Sequence, residues 1–150
     1  MYVDVICVYI YKCYNISVNN IYRHTKTTVS FINYHFVFCP RYRRKIFNIH
    51  GVEARFKDLV YEVCEEHQIN ILAMECHADH VHMFVSALPD MSIPEIMRLV
   101  KGSTSLKLRQ EFSALQAMPS LWTRSYFVST AGNVSSETIK WYVETQKTRP

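Results

Sequence analysis

Ile69-Asn70-Ile71-Leu72-Ala73-Met74-Glu75-Cys76-His77-Ala78-Asp79-His80-Val81-His82-Met83-Phe84-Val85-Ser86-Ala87 is the stretch from which the architecture can be read. Ile69 to Cys76 and His80 to Ala87 read as two strands, rich in residues that suit a half-buried pleated surface. Only His77-Ala78-Asp79 lies between them, which suggests a tight turn or a bulge.

Upstream, Val52, Phe56, Leu59, Val60 and Val63 recur at helical spacing and predict an amphipathic helix over 51–67. Before it, 28–39 is dense in β-branched and aromatic residues and reads as one strand, ended by Pro40. Downstream, Ser92-Ile93-Pro94-Glu95 opens a second helix. Ser92 and Glu95 can form a capping box, Pro94 fits the first turn, and Met91 with Ile96 can form a hydrophobic staple. Ile96, Leu99 and Val100 mark its buried face, and it runs to about Phe112. A fourth strand is expected over 121–130, with Trp122, Arg124, Tyr126 and Val128 on one side. Ala131-Gly132-Asn133 makes a turn, and a last helix from about Ser135 carries Ile139, Tyr142, Val143 and Gln146. The order β-α-β-β-α-β plus a C-terminal helix predicts an α+β class. It is a ferredoxin-like (RRM-like) antiparallel sheet with both main helices on one face.

A length of 150 residues favours one core, and 3 Gly with 5 Pro leave little room for long linkers. We expect a single domain over 22–150, with 1–21 either an extra strand or, the reading preferred here, an extension of doubtful function. Met1 to Asn20 is apolar but broken by Asp4 and Lys12, too short to span a membrane and without the features of a signal peptide. The 17 Lys plus Arg against 13 Asp plus Glu leave a charge of +4, which permits phosphate contacts without demanding them. Five cysteines without C-x-x-C spacing fit neither a disulfide framework nor a zinc ribbon. Cys39, Cys64 and Cys76 read as small core residues of a cytoplasmic protein.

On a regular strand His80 and His82 share one face. A lone histidine on a strand is usually a hydrogen-bonded structural residue, but two imidazoles at this spacing can converge on a divalent cation. Two ligands are too few for a tight structural site. Tyr142 and Gln146, at i and i+4, share one helix face. Gln146 can give a carbonyl oxygen as third ligand, and Tyr142 can attack phosphorus. A phenol of pKa about 10 is a weak nucleophile at neutral pH, so a nearby cation or base is required. His77 is a weaker candidate for the metal, because the turn is expected to carry it off the shared face. His24, His35, His50 and His67 have no constellation around them.

Five ordered segments then carry a resemblance: Tyr34-His35-Phe36-Val37-Phe38-Cys39-Pro40-Arg41-Tyr42-Arg43-Arg44, Asp79-His80-Val81-His82, Val100-Lys101-Gly102-Ser103, Leu121-Trp122-Thr123-Arg124-Ser125-Tyr126-Phe127, and Tyr142-Val143-Glu144-Thr145-Gln146. From about Tyr22 to Gln146 the chain resembles the HUH single-tyrosine transposases of the smallest bacterial and archaeal insertion sequences (the insertion-sequence two-hundred type). The resemblance implies cleavage and rejoining of single-stranded DNA at element ends through a 5′-phosphotyrosine, with hairpin recognition. It makes Tyr142 the nucleophile and His80, His82 and Gln146 the ligands of Mg or Mn. It also implies a homodimer in which the tyrosine helix of one subunit completes the other's histidine site. The location expected is the cytoplasm, on the nucleoid when DNA is bound, with no membrane partner. Candidate DNA contacts are Arg41, Arg43, Arg44 and Lys45 on phosphates, Tyr42 on an unpaired base, and Lys101 and Arg124. Asp79 is a candidate to orient a ligand histidine.

Two other readings compete. One is a related single-tyrosine nuclease that processes repeated palindromes. The other is a ferredoxin-like nucleic-acid-binding module without catalysis, which would use sheet aromatics for stacking where this strand presents histidines.

Overall fold

Alternation along the strands decides which side chains become core and which become site in this computed structural model, in which residues Tyr22–Ala131 are described. The chain divides into two units, 1–31 and 32–150. In the first, β1 (Arg23–His24) and β2 (Val29–Ser30) pair as a small antiparallel hairpin. The Thr25 hydroxyl closes its turn by accepting from the backbone N–H of Thr27 and Thr28.

The second unit contains β3 (Asn33–Phe38), α1 (Val52–Glu66), β4 (Asn70–Cys76), β5 (Val81–Ser86), α2 (Ile93–Glu111), the single turn α3 (Ser113–Gln116) and β6 (Phe127–Thr130). The sheet order is β4-β5-β3-β6, with every neighbouring pair antiparallel. This is the ferredoxin-like arrangement, with the first strand of the repeat, β3, inside the sheet.

Phe36 and Phe38 of β3 and Val81, Met83 and Val85 of β5 face the core, which is completed by Val52, Phe56, Leu59 and Val60 of α1 and Ile96, Met97, Val100 and Leu108 of α2. Burying one such side chain fully is worth roughly 1.5–3 kcal/mol. Phe36 and Phe56 are 0% exposed, so truncation of either leaves a cavity. Ser92 caps α2 as expected, accepting from the Glu95 N–H at 3.3 Å. The Glu95 carboxylate turns to Arg98 at 3.9 Å.

Two strand expectations change. The run over 28–39 is divided: Val29–Ser30 belongs to the hairpin and only Asn33–Phe38 to the sheet. The run over 121–130 is a strand only from Phe127. Trp122 makes one bridge to Pro40, and its indole N–H donates to Thr104 Oγ1 at 2.9 Å, anchoring the loop on α2. Lys101 Nζ then donates to the carbonyls of Thr123, Arg124 and Ser125 at 2.8, 3.4 and 3.2 Å, which draws those carbonyls out of any ladder. The segments 1–21 and 132–150, with the expected extension, Tyr142 and Gln146, lie outside the described residues.

Candidate active site

On the sheet face away from α1 and α2, the same strands place polar and aromatic side chains. The link between β4 and β5 is a turn closed by the His77 N–H on the His80 carbonyl at 2.8 Å. Beyond it, β5 alternates, so Val81 and Met83 enter the core while His82 and Phe84 take the opposite face. His80 and His82 come together as expected. Their ring centroids are 5.2 Å apart and their planes cross at 74°.

Both rings are held through Nδ1. Asp79 Oδ1 lies 2.8 Å from His80 Nδ1, and His35 Nε2 lies 3.1 Å from His82 Nδ1. A neutral imidazole has one N–H and one lone pair, so the tautomer that carries its proton on Nδ1 offers Nε2 to a ligand. The donor set therefore fits a divalent cation. The hydrogen bond from His80, and then the Arg43 guanidinium, hold the Asp79 carboxyl below its usual range. Burial first, and then the like-charged neighbours His35, His80 and His77, push His82 down to about 4. It is neutral at physiological pH and its lone pair is available.

Two histidines depart from the sequence expectation. His77 is not carried away by the turn: a ring nitrogen of each of His77, His80 and His82 lies within 4.8 Å of those of the other two. Its ring stacks on His80 with centroids 4.4 Å apart and planes 8° from parallel. His77 therefore joins His80 and His82 in a group of three imidazoles able to hold a metal ion. His35, expected to stand alone, is paired with His82 across 47 positions of sequence. Only the β3–β5 register creates that contact, and no local signal in the sequence announces it. The exposed Phe127 meets His35 edge-on at 6.1 Å, a contact that the sequence does not announce either.

The basic segment 41–45 forms an exposed loop after β3. Tyr42 and Arg43 both take left-handed backbone conformations, with φ of 59° and 49°. Each costs about 1 kcal/mol for a residue with a Cβ. Strain of this kind collects where function needs a given presentation. Tyr42 is 74% exposed, with the Arg41 guanidinium 5.3 Å from its ring centroid. Arg41 also donates to Ser120 Oγ at 3.1 Å, and Arg43 Nε to Asp79 Oδ2 at 3.2 Å. The loop is thereby linked through Asp79 to His80. Arg44 and Lys45 are exposed.

Arg41, Tyr42, Arg98, Lys101, Gly102 and Arg124 line an open cleft of about 770 Å³. Lys101 sits half-buried in its wall, where burial lowers its pKa. Gly102 lies within the continuous helix α2, where an added Cβ would meet no atom within 4 Å. No helix among the described residues is long and apolar enough to cross a membrane.

The chain is similar to known proteins. A transposase for insertion sequence element IS200 from Salmonella typhimurium is 36% identical over 117 residues, covering 75% of each chain. The ISDra2 transposase TnpA of Deinococcus radiodurans is 26% identical over 118 residues, 77% of this chain and 84% of the relative. A crystal structure described as a candidate transposase from Deinococcus radiodurans R1 superposes with a TM-score of 0.67 at 25% identity, covering 83% of this chain and 97% of the other. A REP-associated tyrosine transposase, solved bound to a REP hairpin, shares the fold with a TM-score of 0.55 at 11% identity, over 81% of this chain and 68% of that one. The family described as "Transposase IS200 like" matches residues 28–146. The chain belongs to the IS200-like transposase family.

Proposed function

We propose that the protein cleaves and rejoins single-stranded DNA at insertion-sequence ends, with Tyr142 as nucleophile and with His80, His82 and Gln146 holding a divalent cation, Mg or Mn. The observation that carries this reading is the histidine pair itself. Each ring is fixed through Nδ1 by a separate partner, and the two planes cross, leaving both Nε2 atoms for one ligand. The 36% identity to an IS200 transposase favours element ends over scattered palindromes as substrate.

The Tyr142 oxygen attacks the scissile phosphorus and loses its proton, while the P–O3′ bond breaks and the departing 3′-oxygen takes one up. When bound, the cation withdraws charge from the phosphate and eases that departure. The 5′-phosphotyrosine conserves the bond energy, so a free 3′-hydroxyl can attack it in turn and release Tyr142 without ATP. The loop of Arg41, Tyr42, Arg43, Arg44 and Lys45, with Arg124 across the cleft, holds the DNA, whereas Lys101, expected as a contact, has its ammonium taken up by three backbone carbonyls and shapes the cleft wall. Guanidinium and ammonium groups take phosphates, and the exposed Tyr42 ring stacks on an unpaired base. A hairpin at the element end is the proposed partner, and one relative of the same fold was solved bound to a REP hairpin. The family resemblance supports a homodimer whose subunits exchange the Tyr142 helix, acting on DNA in the cytoplasm. It also supports a domain over 22–150, with 1–21 dispensable.

Single-stranded DNA spanning the flank of the chain's own coding region, incubated with and without Mn²⁺, tests the reading. We expect a denaturant-resistant protein–DNA adduct that Tyr142→Phe abolishes while hairpin binding persists. An adduct that survives in Tyr142→Phe sinks the nucleophile assignment. Mixing Tyr142→Phe with His82→Ala protein is expected to restore cleavage, since each subunit then supplies what the other lacks. A mixture as inactive as its components contradicts the shared site.

A further inference from the structure

The two histidines of the proposed metal centre are held by different chemistry. His80 has a carboxylate on Nδ1, and His82 has another imidazole. We propose that His35 is a positioning residue of the metal centre: its Nε2 accepts the Nδ1 proton of His82 and so presents the His82 Nε2 lone pair to the cation. This rests on the reading of His80 and His82 as ligands.

Geometry makes His35 more than a neighbour. On β3 it pairs in register with Phe84, while Val37 pairs with His82, so His35 is diagonal to His82 on the same sheet face. Its own ring is clamped. It is 9% exposed, stacked on Phe84 at 4.1 Å with planes 2° apart, and met edge-on by Phe127 at 6.1 Å. A clamped acceptor fixes both the rotation of the His82 ring and the position of its proton. The contact to His82 combines the 3.1 Å hydrogen bond with near-parallel rings, 19° apart at 5.4 Å.

The tautomers follow from counting protons. For His82 to offer Nε2, its proton sits on Nδ1. For His35 to accept there, its own proton sits on Nδ1. A neutral imidazole in this place orients the ligand without adding negative charge, whereas Asp79 on the other ligand adds one. The centre then carries a single carboxylate behind its histidines, in keeping with a cation that must keep its pull on a phosphate. If His35 merely filled space on Phe84, any flat ring of its size would serve equally well.

Two substitutions separate these roles. His35→Phe keeps a ring on Phe84 and removes the acceptor. His35→Gln loses the ring but returns an oxygen near the place of Nε2. Mn²⁺ binding to the full chain, followed by electron paramagnetic resonance, is expected to weaken by roughly 10- to 100-fold in His35→Phe. His35→Gln is expected to recover most of that loss. In the metal-free protein, long-range ¹H–¹⁵N spectra are expected to show His82 with its proton on Nδ1, and His35→Phe to populate the Nε2–H form. Unchanged Mn²⁺ affinity and an unchanged His82 tautomer in His35→Phe overturn the inference, provided His82→Ala abolishes binding. If the unsubstituted protein binds no Mn²⁺, or His82→Ala binds as tightly, the metal reading itself fails and takes this inference with it.

Discussion

The two faces of the sheet are made by the same strands and obey different rules. Toward the helices, Phe36, Phe38, Val81, Met83 and Val85 meet other apolar groups, and each is interchangeable with a side chain of like volume. On the far side, His35, His82 and Phe84 are one residue out of step with those positions, and each has a partner specific to its chemistry. One face stores stability and the other spends polar groups on geometry. Substitutions on the two faces are therefore expected to separate stability from activity.

The largest effect belongs to the site face. His82→Ala is expected to reduce metal-dependent cleavage to background while leaving the urea unfolding midpoint nearly unchanged. A large loss of stability there would mean that the histidine is structural. On the core face, Phe36→Ala is expected to cost about 3–5 kcal/mol of unfolding free energy. Any activity that remains in the folded fraction is expected to keep its metal dependence.

A pH series sharpens the contrast. Burial lowers the pKa of His35 and pushes His82 down to about 4, whereas both rings return to about 6.5 on unfolding. Below that pH the unfolded chain takes up protons that the folded chain refuses. Stability of the metal-free protein is therefore expected to fall from about pH 6.5 toward about pH 4. His82→Asn is expected to flatten that decline. A decline of equal steepness in His82→Asn would assign it to other groups.

Smaller effects are expected at the cleft. Gly102→Ala replaces a mid-helix glycine where nothing lies within 4 Å, and is expected to stabilise α2 by roughly 0.5–1 kcal/mol. The added methyl also projects from the cleft wall, so affinity for single-stranded DNA is expected to fall in the same protein. Stability and affinity rising together would remove the cleft from the DNA path.

Most of the architecture was legible because it is local. The helical spacing of Val52, Phe56, Leu59, Val60 and Val63, the Ser92 cap and the alternation through His82 each act within a few residues, and the structure keeps them. The His80–His82 pair was legible for the same reason. The rest depended on contacts between distant segments. His35 finds His82 only through strand register, His77 stacks on His80 only through the turn geometry, and Lys101 dissolves the start of the fourth strand from a helix 22 residues earlier. Periodicity carries no trace of such contacts.

The central claim is that the polar face of the sheet is a metal centre serving cleavage of single-stranded DNA. The direct measurement is cleavage of element-end single-stranded DNA as Mn²⁺ is titrated into chelator-treated protein, beside a variant with both His80→Ala and His82→Ala. Cleavage is expected to rise from background to a plateau in the unsubstituted protein and to stay at background in the double variant at every Mn²⁺ concentration. Cleavage that proceeds in excess chelator, or that the double variant retains, contradicts the account.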